Sequence, residues 1–319
     1  MTTKKIFAVS ALTVFVILAP ITSLPAQSQD AIAVITELKL NGGDVQIRLP
    51  GKNSSERPAV LQSLVPGTQV LVSKDAWAVI LFTDGSKTVK IDGKTSPLEI
   101  KPSNAKAGQG SNPLAQAAAL LLGKKPPPTY VPLATRGSKK PPSLLSPRNT
   151  KLMTEAPNLQ WMGMDQQVGT VRVYGPDGLV WSAENIALTQ IKYPPTAAPL
   201  KPGIEYSWSL EKKGFAPEKA SFRILAAEEA KSVRERLSSL QQNPAASSAT
   251  TLAIIKASLL MSNELFYDAR EMLVDVLKSD PDEPTLHFLL GEIYDKTGLK
   301  SLAAEEYSEA EFLRKGRSQ

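Results

Sequence analysis

From Ile32 to about Lys101, apolar and polar residues alternate, or apolar residues run together, in short segments. These are "IAVITELKL", "GDVQIRL", "TQVLVS", "AWAVILFT", "KTVKI" and "PLEIK", punctuated by Asn41-Gly42, Asp84-Gly85 and Asp92-Gly93. Period-two alternation puts successive side chains on opposite faces of a strand, so the stretch predicts an antiparallel β domain over 32–101. Asp-Gly tolerates positive φ angles, so "AWAVILFTDGSKTVKI" predicts one hairpin closed by a two-residue turn. The same pattern returns from Pro157 to about Leu225 in "LQWMG", "GTVRVYG", "GLVWSA", "ALTQIKY", "EYSWSL" and "SFRIL", with turns at Pro176-Asp177-Gly178 and Lys201-Pro202-Gly203. A middle β-sandwich over 155–225 follows. Trp161, Trp181 and Trp208 lie among alternating apolar neighbours, where a large ring fills a core in preference to stacking a sugar or base.

After Leu225 the period lengthens toward that of a helix. "AAEEAKSVRERLSSLQQ" predicts one helix stopped by Asn243-Pro244, and four shorter helical patterns follow, separated by "SNE", "SDPDEP" and "KTG". The chain thus reads as multidomain α+β, with a helical region over 226–319.

Between the β domains, 102–154 carries lysine and arginine with no aspartate or glutamate, and its prolines cluster in "KKPPPTYVP" and "KKPPSLLSP". Such a segment favours extended polyproline geometry and buries too little surface to fold alone, so it predicts a linker. Within it "NPLAQAAALLLGKK" predicts a short helix, with Asn112 as N-cap and Pro113 in the first turn, that packs on a neighbouring domain. The linker is the expected site of tryptic nicking, leaving a stable fragment that begins near Lys151. Lys124, Lys125, Arg136, Lys139 and Lys140 are candidate contacts to an anionic cell-wall polymer or membrane surface. The plainer alternative is that these charges keep a linker extended and soluble.

The first residues fit a targeting segment: "MTTKK", a continuous apolar run from Ile6 to Leu18, then "SLPAQSQD" with small residues for cleavage after Ala26. The run is short for a span of about 20 residues. No cysteine follows it, which excludes a lipoprotein-type anchor. The expectation is a signal peptide over 1–26 and a mature protein in the periplasm or medium.

Composition narrows the chemistry. The chain has 319 residues, one histidine and no cysteine. Disulfides, thiolate metal sites and cysteine nucleophiles are therefore excluded, and a histidine base could only be His287. Ser103 and Lys106 form a Ser-x-x-Lys pattern, but in the linker, without the rigid buried frame that would depress a lysine pKa. We find no phosphate-cradling glycine loop and assign no catalytic, cofactor or metal residues. A net charge of +6 would suit nucleic acid, but export and the acidic helical region oppose that reading.

An internal repeat organises the C-terminal region. Ala257 and Gly291 lie 34 residues apart, as do Leu260 and Tyr294, Ala269 and Ala303, and Leu273 and Tyr307. Small residues at fixed offsets let paired helices approach closely. In this the region resembles the tetratricopeptide repeat, with repeats at about 250–283 and 284–317. Glu264 stands where that family often has glycine, and His287 stands at its tryptophan position, so His287 reads as scaffold. The resemblance implies a concave face formed by the first helix of each repeat. Counted in that register, the groove positions are Thr251, Ile254, Ser258, Met261, Ser262, Thr285, Phe288, Glu292, Asp295 and Lys296. Phe288 and Met261 are the expected apolar anchors, and Glu292 and Asp295 the attraction for a basic or amide-rich peptide. Two repeats make a short groove, so either the 226–242 helix is expected to pack on the first repeat or the module completes itself on a partner.

"GDVQIR", "LVPGTQV" and "AWAVILFTDGS" resemble the FecR-like domain of bacterial envelope proteins, and "LKPGIEYSWSL" is similar to immunoglobulin- or fibronectin-type domains. Together these resemblances imply a noncatalytic, exported bacterial protein that binds other envelope proteins or peptides, as scaffold or signalling adaptor. The alternative is a binder of cell-wall or anionic envelope polymer.

Overall fold

A computed structural model of the chain describes residues 30–102, 113–122, 142–163, 169–241 and 248–316. The expected signal peptide over 1–26 lies outside them, as do Lys124, Lys125, Arg136, Lys139 and Lys140.

The N-terminal unit is wholly antiparallel. One sheet has the order β3-β1-β5-β6, built from β1 (Ala33–Lys39), β3 (Ser63–Leu64), β5 (Trp77–Phe82) and β6 (Thr88–Asp92). The other pairs β2 (Val45–Arg48), β4 (Gln69–Val72) and β7 (Leu98–Glu99). Ile35, Ile47, Leu64, Val70, Ile80 and Ile91 meet between them as a closed apolar core. The β5–β6 hairpin forms as expected, but its turn is longer than two residues. Gly85 alone takes a positive φ there, 67°, while the Asp84 carboxylate accepts from Ser86 N at 2.9 Å. An aspartate that caps its own turn in this way lets four residues close the hairpin where a strict Asp-Gly turn uses two.

Helix α1 (Pro113–Leu121) begins at the expected proline and packs on the helical region and on β5. The next elements correct the expected boundary. β8 (Ser143–Ser146) and β9 (Thr150–Leu152) fall in the stretch read as linker, yet both are strands of the middle unit. Their partners are β10 (Asn158–Met162) and, in parallel, β15 (Glu218–Ile224). Three or four residues framed by prolines carry too little periodicity to be recognised as strands; long-range pairing supplies what local pattern lacks. β10 also pairs with β13 (Gln190–Lys192), and the second sheet runs β12-β11-β14-β15-β9 through β11 (Gly169–Gly175), β12 (Gly178–Ile186) and β14 (Glu205–Glu211). Trp161, Trp208, Phe222 and Tyr193 fill a core shared by both sheets, and Trp181 lies half-buried against Tyr193 at 5.5 Å between ring centroids.

The C-terminal region is helical: α2 (Ala227–Gln241), α3 (Ala249–Ser262), α4 (Phe266–Leu277), α5 (Pro284–Thr297) and α6 (Lys300–Lys315). α4 and α6 start at Phe266 and Lys300, 34 residues apart, and every pair of the repeat register is buried. A side-chain carbon on Gly291 would sit 2.6 Å from the Tyr307 ring, so glycine there is what lets α5 and α6 touch. α2 packs on α3 as expected. Among the described residues no helix is long and apolar enough to cross a membrane.

Candidate interaction site

Of the expected groove positions, Ile254 and Phe288 join one apolar cluster on a shared side of α3 and α5, whereas Ser262, Glu292, Asp295 and Lys296 lie outside it. Ser248 caps α3 by accepting from Thr251 N at 2.9 Å, and Glu283 caps α5 by accepting from Thr285 N at 3.1 Å. Pro284 opens α5, and Gly298 ends it with φ 88°. These caps satisfy orphan backbone groups and fix where α3 and α5 begin and where α5 ends.

That side is not open. Thr251, Ile254, Ser258, Thr285 and Phe288 are all buried, and Met261 is partly buried. The expectation that Phe288 and Met261 stand in solvent as anchors is thus corrected. Val34 of β1, Leu81 of β5, Val60, Leu61, and Ala117, Ala118 and Leu121 of α1 close over the face and share one apolar cluster with it. Phe288 stacks obliquely on Tyr307 at 5.7 Å between centroids. The paired helices leave apolar surface that they do not cover themselves, and the N-terminal unit covers it. The remaining positions lie outside the seam. Glu292 accepts from the Tyr307 hydroxyl at 3.4 Å, Asp295 pairs with Lys300 at 2.6 Å, and Lys296 and Ser262 are exposed.

β1 meets the helices through a polar row as well. Its pairing with β5 slips between Ile35 and Glu37, a bulge that places Thr36 and Glu37 on the same side. Ile35 and Leu38 point into the N-terminal core. Thr36 Oγ1 lies 3.1 Å from Thr251 Oγ1, and Glu37 accepts from the hydroxyls of Ser248 and Thr251. Leu38 N donates to both Glu283 oxygens at 3.3 Å, and Lys39 forms an ion pair with Asp280. Glu283 is fully buried. Desolvation is the chief cause that raises its carboxyl, and the nearby Glu37 adds to it; against the pull of Lys39 and Thr285 the result is about 8.

A second seam joins α4 to the middle β unit. Lys151 N donates to Glu264 O at 2.9 Å, Met153 N to Asp268 at 3.2 Å, and Asn158 N to the Tyr267 hydroxyl at 3.0 Å. Arg270 reaches Gln160 at 2.8 Å. Burial lifts the Asp268 carboxyl to about 6, against the pull of its Met153 hydrogen bond. Glu264, at the position where glycine is frequent, takes φ 61° and is held there by Thr150 and Lys151.

Sequence reading missed Glu37, Lys39, Asp280, Glu283 and Asp268. A faint signal existed: Thr36-Glu37 interrupts an apolar strand with two adjacent polar residues, as a bulge onto a polar surface would. His287 behaves as scaffold. Its Nδ1 lies 2.8 Å from Glu306 and its Nε2 2.9 Å from Pro281 O, tying α5 to α6 and to the preceding turn. Burial works against its charged form, yet the Glu306 and Pro281 hydrogen bonds prevail and raise its pKa above the ordinary 6.5.

Among the described residues no group of three or more histidine, aspartate or glutamate side chains is placed to hold a metal ion. No protein-family model matches the chain, and no curated protein matches it.

Proposed function

We propose that this chain is a noncatalytic, exported bacterial envelope protein, an interaction scaffold or signalling adaptor built from a FecR-like domain, an immunoglobulin- or fibronectin-like domain and two tetratricopeptide repeats. The observation that carries the reading is the seating of β1, an extended strand, on the α3–α5 face. The face accepts Leu38 N at Glu283 and Lys39 at Asp280, and its hydroxyls meet Thr36 and Glu37. A helical surface that already binds a strand by backbone and side-chain hydrogen bonds has the chemistry of a polypeptide receptor. The motifs of the sequence supply the envelope setting, and the targeting segment supplies the route.

Cross-linking in cells followed by purification of the full chain tests this. The expected result is enrichment of a small set of exported polypeptides cross-linked to residues of the helical region. Recovery of wall polymer or anionic lipid with no polypeptide would replace the scaffold reading by the polymer-binding one.

A further inference from the structure

The β1–helix seam buries a polar row beside its apolar cluster. Two buried carboxylates meet there, Glu37 from β1 and Glu283 from the start of α5. The charged groups that face them are Lys39, also from β1, and Asp280, from the turn between α4 and α5, and these two pair with each other. From α3 come the Ser248 and Thr251 hydroxyls. On α3, Ser258 buries a hydroxyl oxygen with no hydrogen-bond partner. Buried carboxylates and orphaned hydroxyls weaken a contact unless they are neutral or matched.

We infer that this contact is a pH-governed clasp, which holds the α3–α5 face shut while Glu283 carries a proton and releases it as the proton is lost. The inference rests on reading the helical pairs as an interaction module, and it supplies that module's regulation. A neutral Glu283 still accepts from Leu38 N and Thr285 N with no charge to desolvate. Ionised, it is a buried charge beside Glu37, with the nearest cation engaged by Asp280. In the open form Glu283 is hydrated and ionises at the ordinary carboxylate pKa of 4.5, whereas in the closed form burial holds it to about 8. The closed form binds the proton more tightly, so closure is strongest below the ordinary value. It weakens by up to about tenfold per pH unit as pH rises between the two. Val34, Leu61 and Leu81 continue to favour closure. The open form therefore stays a minor species, visible to chemical labelling more than to overall shape.

The chain has no cysteine, so one introduced thiol reports without interference. Thr251→Cys places it under the clasp, where the native side chain meets Thr36 and Glu37 of β1, and Ser308→Cys, at an exposed position of α6, supplies the unprotected rate at each pH. In the full chain the ratio of the two labelling rates should rise about tenfold or more between about pH 5 and pH 8. With Glu283→Gln added, a neutral side chain of the same shape, the ratio should stay near its low-pH value throughout. Hydrogen exchange at Leu38 N, corrected for intrinsic rates, should follow the same course in the unaltered chain. The clasp is refuted by a pH-independent ratio, or by an equally steep one with glutamine present. Parallel loss of the near-ultraviolet signal of Trp161 and Trp208 would refute it too, by showing global unfolding. No partner is needed for these measurements, so their failure would leave the interaction reading standing, and failed partner capture would leave the clasp standing.

Discussion

At the scale of single residues, Phe288 shows how a side chain changes meaning when its surroundings are known. Its helical position marks it for an open groove, but only 2% of its surface reaches solvent. Replacing it with alanine removes a ring from contact with Tyr307 and opens a cavity in the cluster shared by the helices and β1. We predict that Phe288→Ala lowers unfolding free energy by about 3–5 kcal/mol. Lys296→Ala, an exposed change on the same helix, should stay within about 0.5 kcal/mol. Denaturant titration of the two variants checks both values, and equal stabilities would put Phe288 back in solvent. His287 needed no such revision: a lone histidine on a largely apolar helix reads as scaffold, and its two ring nitrogens are spent on Glu306 and Pro281.

At the scale of elements, the long and strongly periodic segments were legible and the short ones were not. The helices α2, α4, α5 and α6 and the strands β11 and β14 repeat their period often enough to declare it locally, while α3 and β5 show as apolar runs long enough to place. β8 and β9 do not, and the expected tryptic boundary near Lys151 fails with them. Lys151 pairs with Arg223 in the parallel β9–β15 ladder, and its amide is bound by Glu264 O. Arg148 is held by Glu218 at 2.5 Å and by Thr297 O at 3.0 Å. A protease must draw a stretch of chain into its cleft, which these pairings oppose. Brief trypsin treatment of the full chain should therefore leave the bonds after Arg148 and Lys151 intact. N-terminal sequencing of the fragments decides it, and an early product beginning at Leu152 would detach β9 from the middle unit.

At the scale of the whole molecule, two different kinds of seam hold three units together. The N-terminal unit and the helices share one apolar cluster, whereas the middle unit keeps its own core and meets α4 through a hydrogen-bonded row. Burial of a common core couples unfolding more tightly than a polar row, whose groups find water as readily when separated. Three of the four tryptophans lie in the middle unit and most of the helix outside it. Tryptophan fluorescence and the helical circular-dichroism signal should accordingly give denaturation curves with different midpoints; superimposable curves would make the molecule a single cooperative unit. Local decisions are legible along the chain: the α+β class, the order of the units, the 34-residue spacing and the glycine that lets α5 meet α6. Periodicity, turn chemistry and residue size act over a few neighbours and are written in the chain. Tertiary structure alone decided which surfaces remain available. The face that repeat geometry prepares is closed by β1, more than 200 residues earlier in the chain, and two weak strands join a sheet because partners far away in sequence complete it. Such outcomes depend on complementarity between distant segments, and the burial of Glu283 beneath Leu38 is visible only when both are in place.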